Sequence, residues 1–549
     1  MSSCPARNIR LTHAALGLLT AWFTLPGCGS DSGSPAIDAG KDAQIALDSA
    51  TTVPDAATPD VFKNQDTPVV PPADTAQADA AQIDTAQVDA AQVNVAQLDA
   101  PPVDVAADSR AVVDVGSIVD SGAIDGAPLA ACSSLVNPLY VMTGDTQVPV
   151  LKTLGKALRQ GPNPVTLVWY ATGSCTIIDA LYNGTPLKQV PSYIPADATW
   201  DPSTGAVPSC ALESAGHSVD VGVPIVFPAA CAPSTTPPAD LVAFKGPVQS
   251  MLFVVPHSAS PEAISSAQAK LVFGQGAAGN VAPWLDTNFY FIRPPTKGVE
   301  VSLGALIGLP AAQWLGQQIN ASNDVATDVA TSTSPEKTIG ILGSETYDST
   351  TNRANLKSLA FQAVGQTNGF LPDSTATAFD KRSLREGHYV AWAHVFYLTK
   401  AAAVDGGAAQ PVNANAKLLI DILTNTADPG IPTGLDPVAL VANKGLVPLC
   451  AMTVTRTQEG GPLSLFAPPD PCGCYYESKV GTAPASCVAC TSATSCAAAG
   501  TTCRHGFCEA DDGRTSLSDC SALSANATHA QIINNTCTAG ARFESDPIL

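Results

Sequence analysis

From Ala76 to Ala100 the chain repeats a five-residue unit: AQADA, AQIDT, AQVDA, AQVNV, AQLDA. This period matches neither a helical turn nor the alternation of a strand, so its apolar positions cannot line one continuous face. The surrounding tract, residues 29–130, carries 17 Asp, no Glu, one aromatic residue (Phe62) and three cations (Lys41, Lys63, Arg110), a net charge of −14. With Pro54, Pro59, Pro68, Pro71, Pro72, Pro101 and Pro102 in it, it buries too little surface to offset the entropy of ordering. It reads as a disordered, self-repelling spacer, with drift of a low-complexity tract as the alternative. Folding is left to the residues beyond 130. The overall charge of −21 and pI near 4.5 argue against a nucleic-acid partner.

Residues 1–28 have the parts of an export signal: Arg7 and Arg10, the apolar run Ala14–Leu25, then Leu25-Pro26-Gly27-Cys28. The run is too short to span a bilayer. The closing tetrapeptide resembles the lipobox of bacterial lipoproteins, which implies acylation of Cys28 and attachment to a membrane of the cell envelope, outside the cytoplasm. An ordinary cleaved signal is the alternative, and Pro26 is an unusual occupant of its slot.

Beyond Cys4 and Cys28, fourteen cysteines fall into two groups. Cys132, Cys175, Cys210 and Cys231 lie early in the body; Cys450, Cys472, Cys474, Cys487, Cys490, Cys496, Cys503, Cys508, Cys520 and Cys537 crowd the carboxyl-terminal part. Even counts in an exported chain favour disulfides. Cys210–Cys231 is the expected local pair, leaving Cys132–Cys175. Cys487-Val-Ala-Cys490 with His505 nearby also suits half a zinc site, but a Cys-dense exported segment favours stapling. Residues 451–549 are therefore read as a disulfide-rich module with no metal, its pairing open, and Cys487–Glu509 resembles small Cys-rich repeats of bacterial surface lipoproteins.

Residues 131–450 hold the large core. Leu139–Thr143, Val165–Tyr170, Val219–Val223, Met251–Val255, Phe289–Ile292 and Thr338–Leu342 read as strands. Val148–Leu158, Pro261–Val272, Val301–Ile307 and Asn352–Val364 read as helices. The alternation predicts an α/β body with largely parallel sheets, and its size predicts two lobes.

Several blocks, in order, resemble the phosphate-type periplasmic substrate-binding proteins (type 2 periplasmic-binding-protein fold). They are Tyr140-Val-Met-Thr-Gly-Asp-Thr146, Val165–Ser174 (VTLVWYATGS), Val219-Asp-Val-Gly-Val223, Gly246–Pro256, Arg293–Val299, Ile339–Tyr347 and His388–Tyr397. The resemblance implies that Gly246–Pro256 crosses into the second lobe and Ile339–Tyr347 crosses back. It also implies an anion or small polar solute held between lobes by helix amino termini, an Arg and hydroxyls, with an ABC-type permease as a partner.

Carried over by position, Thr146, Ser174, Arg293 and Gly298 are kept and Lys297 adds a charge. The second Ser-Asp of the family becomes Pro224-Ile225, removing its proton-accepting carboxylate, and the Ser-Gly-Thr turn becomes Lys297-Gly298-Val299. The glycines after Ser174 are replaced from Cys175 onward. Each anion contact left unmade costs about 1–3 kcal/mol, so three losses amount to roughly two to six decades of affinity. Each retained residue also has a plain structural reading, as a cap, a turn or a salt-bridge partner. Asp220 suits either the cleft or a turn; His388 and His394 read as packing residues.

No HExxH, GxSxG or GxxxxGK[ST] pattern occurs, and the expectation is a binding protein with no cofactor rather than an enzyme. Two functions remain: a solute-binding lipoprotein of altered ligand site, or a surface module for sensing, adhesion or envelope organisation built on a degenerate binding-protein fold.

Overall fold

The computed structural model describes residues 128–403 and 408–511. The signal, Cys28 and most of the spacer lie outside the described residues, as do Cys520 and Cys537.

The first lobe begins with β1 (Pro138–Thr143), whose apolar residues Leu139 and Val141 are fully buried. Helix α1 (Val148–Gln160) follows, burying Val150, Leu151, Leu154 and Leu158, the 3–4 spacing of a single apolar face. Strand β2 (Thr166–Ala171), helix α2 (Ser174–Tyr182) and strand β3 (Val221–Val223) complete its start. β1 lies between β2 and β3, parallel to both, with Tyr140 opposite Val168 and Met142 opposite Gly222.

The 16-residue strand β4 (Leu241–Pro256) then leaves this lobe. The second lobe is built from α3 (Ser266–Gln275), β5 (Tyr290–Ile292), α4 (Gly298–Ile307), α5 (Ser322–Ala330) and β6 (Ile339–Gly343). Strand β7 (Trp392–Ala402) returns. Residues 241–250 of β4 pair antiparallel with β7, and Met251–Val254 pair antiparallel with β6. One strand thus serves both sheets, changing partner between Ser250 and Met251. The body is a two-lobed α/β fold, as expected.

Four expectations need correction. The sheets are mixed, because β4 runs against both β6 and β7; β5 and β6 are parallel. Ile339–Tyr347 does not cross back: its strand stays in the second-lobe sheet, and the return begins at Trp392, opposite Ser250. The helix expected over 352–364 is short, Thr350–Asn355, and gives way to strands Leu356–Ser358 and Ala360–Gln362. Leu356 and Ser358 are buried on either side of a half-buried Lys357, a strand alternation that the helical reading overlooked. The helix expected from Pro261 starts at Ser266, where Ser265 and Gln268 form a reciprocal capping box.

The early cysteines also pair otherwise. Cys132 joins Cys210 and Cys175 joins Cys231. The Cys132 N–H donates to the Ala211 carbonyl at 2.9 Å, which lays Cys132 beside Cys210. Cys175, in the first turn of α2, meets Cys231 at the end of a short helical turn, Pro228–Cys231. In the carboxyl-terminal part Cys450–Cys472, Cys474–Cys487, Cys490–Cys503 and Cys496–Cys508 are bonded. Cys487 and Cys490 belong to different disulfides.

The main core extends past residue 450, taking in Met452, Val454, Leu463, Cys472 and Tyr476. Helix α6 (Gly473–Val480) docks there through the buried Arg385–Glu477 pair at 2.7 Å. The hairpin Thr501–Arg504/Phe507–Ala510 holds the start of α6: the Glu509 carboxylate accepts the Cys474 and Tyr475 N–H groups at 3.1 and 3.0 Å. Among the described residues no helix is long and apolar enough to cross a membrane.

Candidate functional site

Thr146, Ser174, Arg293, Lys297 and Gly298 surround one small space between the lobes, with Asp145, Thr172 and Ile225. Each is delivered by a strand end or a helix start. Asp145 and Thr146 follow β1, Ser174 opens α2, Arg293 follows β5, and Lys297-Gly298 begin α4.

The centre of this cluster is Asp145, which the sequence reading passed over. Arg293 Nη2 donates to its two carboxylate oxygens at 3.0 and 2.8 Å. The Ser322 N–H and hydroxyl each donate to Oδ2 at 3.0 Å, and Lys297 Nζ lies 3.6 Å from Oδ1. Ser322 is the first residue of α5, so the carboxylate sits at a helix amino terminus. Arg293 is itself 1 % exposed; its Nη1 donates to Ser322 Oγ and its Nη2 to the Asn320 carbonyl. Burial pushes the Asp145 carboxyl up, but the charges of Arg293 and Lys297 and the hydrogen bonds from Arg293 and Ser322 outweigh it and hold it at about 2. An oxyanion of the chain itself thus takes the Arg293 Nη2 and Ser322 donors of the cleft.

The remaining predicted residues are committed elsewhere. Ser174 Oγ accepts the Ile225 N–H at 3.1 Å. Gly298 lies so close to the opposite lobe that a Cβ there would stand 2.3 Å from Ile225 Cγ1 and 2.7 Å from Ser174 Oγ. At Gly173 an added Cβ would meet the Thr296 carbonyl oxygen at 2.7 Å, and the Cys175 N–H donates to that same oxygen at 3.0 Å. Ile225 lines the same space. The cavity left is about 10 Å3, room for one water at most.

Two further carboxyls flank the cluster. Glu300 is fully buried in the first turn of α4 and accepts the Arg293 N–H at 3.1 Å; burial raises its pKa well above the ordinary value. Glu345 follows β6, and burial raises it to about 8. Neither carried a sequence signal, since isolated Glu residues beside a helix start are commonplace.

Asp220 is not in the cleft. Its carboxylate accepts the Tyr140 N–H at 2.9 Å and Asn413 Nδ2 at 3.0 Å, tying the edge of the first lobe together. His388 stacks on Phe370, with ring centroids 5.3 Å apart. His394 lies among Phe227, Trp392 and Phe396. Burial, with the charges of Lys245 and Arg456, lowers His394 to about 3, so it is neutral at ordinary pH.

No protein-family model and no curated protein matches the chain. Among solved structures it is similar to a Clostridium perfringens chain assigned as a phosphate ABC transporter substrate-binding protein, with bound phosphate. That likeness has 11 % identity over 57 % of this chain and 100 % of that one, with a TM-score of 0.38. An ABC-type phosphate transport receptor from Vibrio cholerae gives 11 %, 57 %, 100 % and 0.35 by the same measures. The reduced OxyR regulatory domain from Pseudomonas aeruginosa gives 12 %, 52 %, 95 % and 0.29. Likenesses this distant carry no functional inference.

Proposed function

We propose that this chain is an extracytoplasmic lipoprotein, anchored through Cys28. Its body has the architecture of a solute-binding protein, with an interlobe anion site that is satisfied from within. In the closed form it works as a surface module of the envelope, for sensing or organisation, rather than as a carrier of free phosphate. The observation that supports this most directly is the seating of Asp145 on Arg293, Lys297 and Ser322. A free anion has little room while that carboxylate is in place, and the Arg293 Nη2 and Ser322 donors are taken by it. Six disulfides among the described residues support an oxidising compartment, and the acidic spacer suits a body held away from a membrane surface.

A second reading, anion delivery to a permease, is favoured by the convergence of all five predicted residues on one point. Equilibrium dialysis of radiolabelled phosphate against the full oxidised chain at pH 7 separates the two. The first reading expects no saturable uptake at micromolar phosphate, and saturable uptake would establish the second. Incorporation of labelled palmitate by the wild type but not by Cys28→Ala tests the anchor; equal labelling, or none, would remove it.

A further inference from the structure

A second space between the lobes, of about 880 Å3, is far larger than the one at Asp145. Phe227 and the Cys175–Cys231 disulfide line it from the first lobe, Val301 and Ala305 of α4 from the second, and Glu459 from the segment beyond residue 450. Its volume suits a drug-sized molecule. The disulfide pins the short helical turn Pro228–Cys231 to the start of α2, so that wall is set before any ligand arrives. The facing wall is lined by small residues of α4, with Ala305 exposed. Gly460, at φ +63°, lays the Glu459 segment directly on α4: a Cβ there would stand 3.0 Å from the Ala305 carbonyl carbon.

One carboxyl interrupts these apolar walls. Glu459 Oε2 accepts the Phe227 N–H at 2.9 Å, which ties its segment to the first lobe. Its buried Oε1 makes no hydrogen bond among the described residues, and neither does Ser302 Oγ, which is close enough to act on its titration. An acceptor left unpaired is a standing cost that a ligand donor removes. No Lys, Arg or His is among the described residues that line the space. Two cations beside the wall are committed. Arg456, 2 % exposed, gives Nη1 and Nη2 to the Trp392 and Val390 carbonyls at 3.2 and 2.8 Å. Lys245 Nζ donates to the Arg456 carbonyl at 3.1 Å. Burial raises the Glu459 carboxyl above its ordinary range, against the Phe227 hydrogen bond and the Arg456 charge. A cationic donor beside it favours the ionised form.

We propose that this space is a ligand site, separate from the anion cleft, for a small amphipathic amine: the apolar body lies between Phe227 and α4, and the nitrogen meets the Glu459 carboxyl. Apolar contact supplies the affinity, and the carboxyl sets the charge that is accepted. An anion is refused, since Glu459 is the only ionisable group among the described lining residues. The walls come from both lobes, so an occupant also holds the lobes together and gives the surface-module reading a solute to sense. The site does not depend on that reading of the cleft, because Asp145, Arg293 and Lys297 do not line it.

The probe is 1-aminoanthracene, an aromatic amine that brightens in apolar surroundings, titrated against the full oxidised chain at pH 7. The expected result is a saturable rise in fluorescence, reversed about tenfold more effectively by 1-naphthylmethylamine than by 1-naphthoate. Ala305→Trp and Ala230→Trp fill the space from either lobe, and each should weaken the probe about tenfold. Glu459→Gln should narrow the preference for amine over carboxylate, which separates the local carboxyl from the chain's overall charge of −21. No saturable rise, equal displacement by naphthoate, or a preference unmoved by Glu459→Gln overturns the proposal. Probe binding unchanged in both Trp variants overturns it as well, by placing the probe elsewhere. The wild-type competition needs no variant to fold.

Discussion

Arg293 Nη2 reaches both carboxylate oxygens of Asp145, at 3.0 and 2.8 Å, across the interface between the lobes. One residue follows the first strand of the first lobe and the other follows β5 of the second, so the pair is both a site and a clasp. The clasp takes Arg293 Nη2 and the two Ser322 donors, which a free anion would otherwise meet.

Asp145→Ala should therefore weaken the fold and create an anion requirement. Removing one partner of a buried pair costs about 3–5 kcal/mol. The Asp145 side chain keeps 25 % of its surface exposed, so the loss should fall at or below the lower end. Sulfate at a hundred times its dissociation constant should restore about 2.7 kcal/mol. Urea melts with and without sulfate check both statements; a variant as stable as the wild type would show the clasp to be idle.

Gly298→Ala places a methyl group against Ile225 and Ser174 on the facing lobe. We expect destabilisation of about 1–3 kcal/mol together with wider separation of the lobes, seen as faster hydrogen exchange at Ser322 and Cys175. Unchanged exchange at those two amides would mean that the lobes do not meet at Gly298.

The Cys175–Cys231 disulfide holds the segment carrying Ile225 against α2. Replacing both cysteines by Ser should cost roughly 2–4 kcal/mol and raise exchange at the Ile225 amide more than at the Leu139 amide of β1. Equal effects at both would indicate a global rather than a local role.

Two groups with opposite slopes, the buried His394 and the half-buried Glu345, add to the pH dependence that Asp145 and Glu300 already bring. His394, lowered to about 3, binds fewer protons folded than unfolded, so stability rises with pH from about 3 to the ordinary His range near 6.5. Glu345, raised to about 8, binds more protons folded than unfolded. Its contribution is full below the ordinary Glu range near 4.5 and is lost as pH rises to about 8. In Glu345→Gln the fall between pH 5 and 8 should flatten, while His394→Phe should flatten the acid limb. Thermal melts across pH 3–9 read both, and a limb unmoved by its own substitution would assign it to another group.

Much of the architecture was legible because β1, β2 and β6 are bounded apolar runs and α1 shows a helical period. Strand β4 was seen in part: Met251–Val255 stood out as apolar and the crossing was read from Gly246, whereas residues 241–245, which pair with β7, look mixed in polarity. The return crossing was misplaced because Ile339–Gly343 and the start of β7 are similar short apolar runs, and only the pairing with Met251 or Ser250 tells them apart. The cysteine pairs were misread because sequence proximity favoured Cys210 with Cys231, while the strand bridge at Ala211 brings Cys132 to Cys210. At the cleft the positions of Arg293, Lys297 and Gly298 could be read from motif order. The role of Asp145 could not, because an acidic residue at a helix start is ordinary capping chemistry until Arg293 and Ser322 arrive from the other lobe.

The central claim is that the cleft anion is the Asp145 carboxylate, and its own titration tests this most directly. Carboxyl carbon NMR of the full chain labelled at aspartate, with Asp145→Asn to assign the signal, follows that carboxyl from pH 6 downward. The account predicts that it stays ionised to about pH 2, and that Arg293→Lys raises the midpoint. A midpoint in the ordinary range near 4, unmoved by Arg293→Lys, would show the carboxylate to be unpaired and the cleft to be open to an outside ligand.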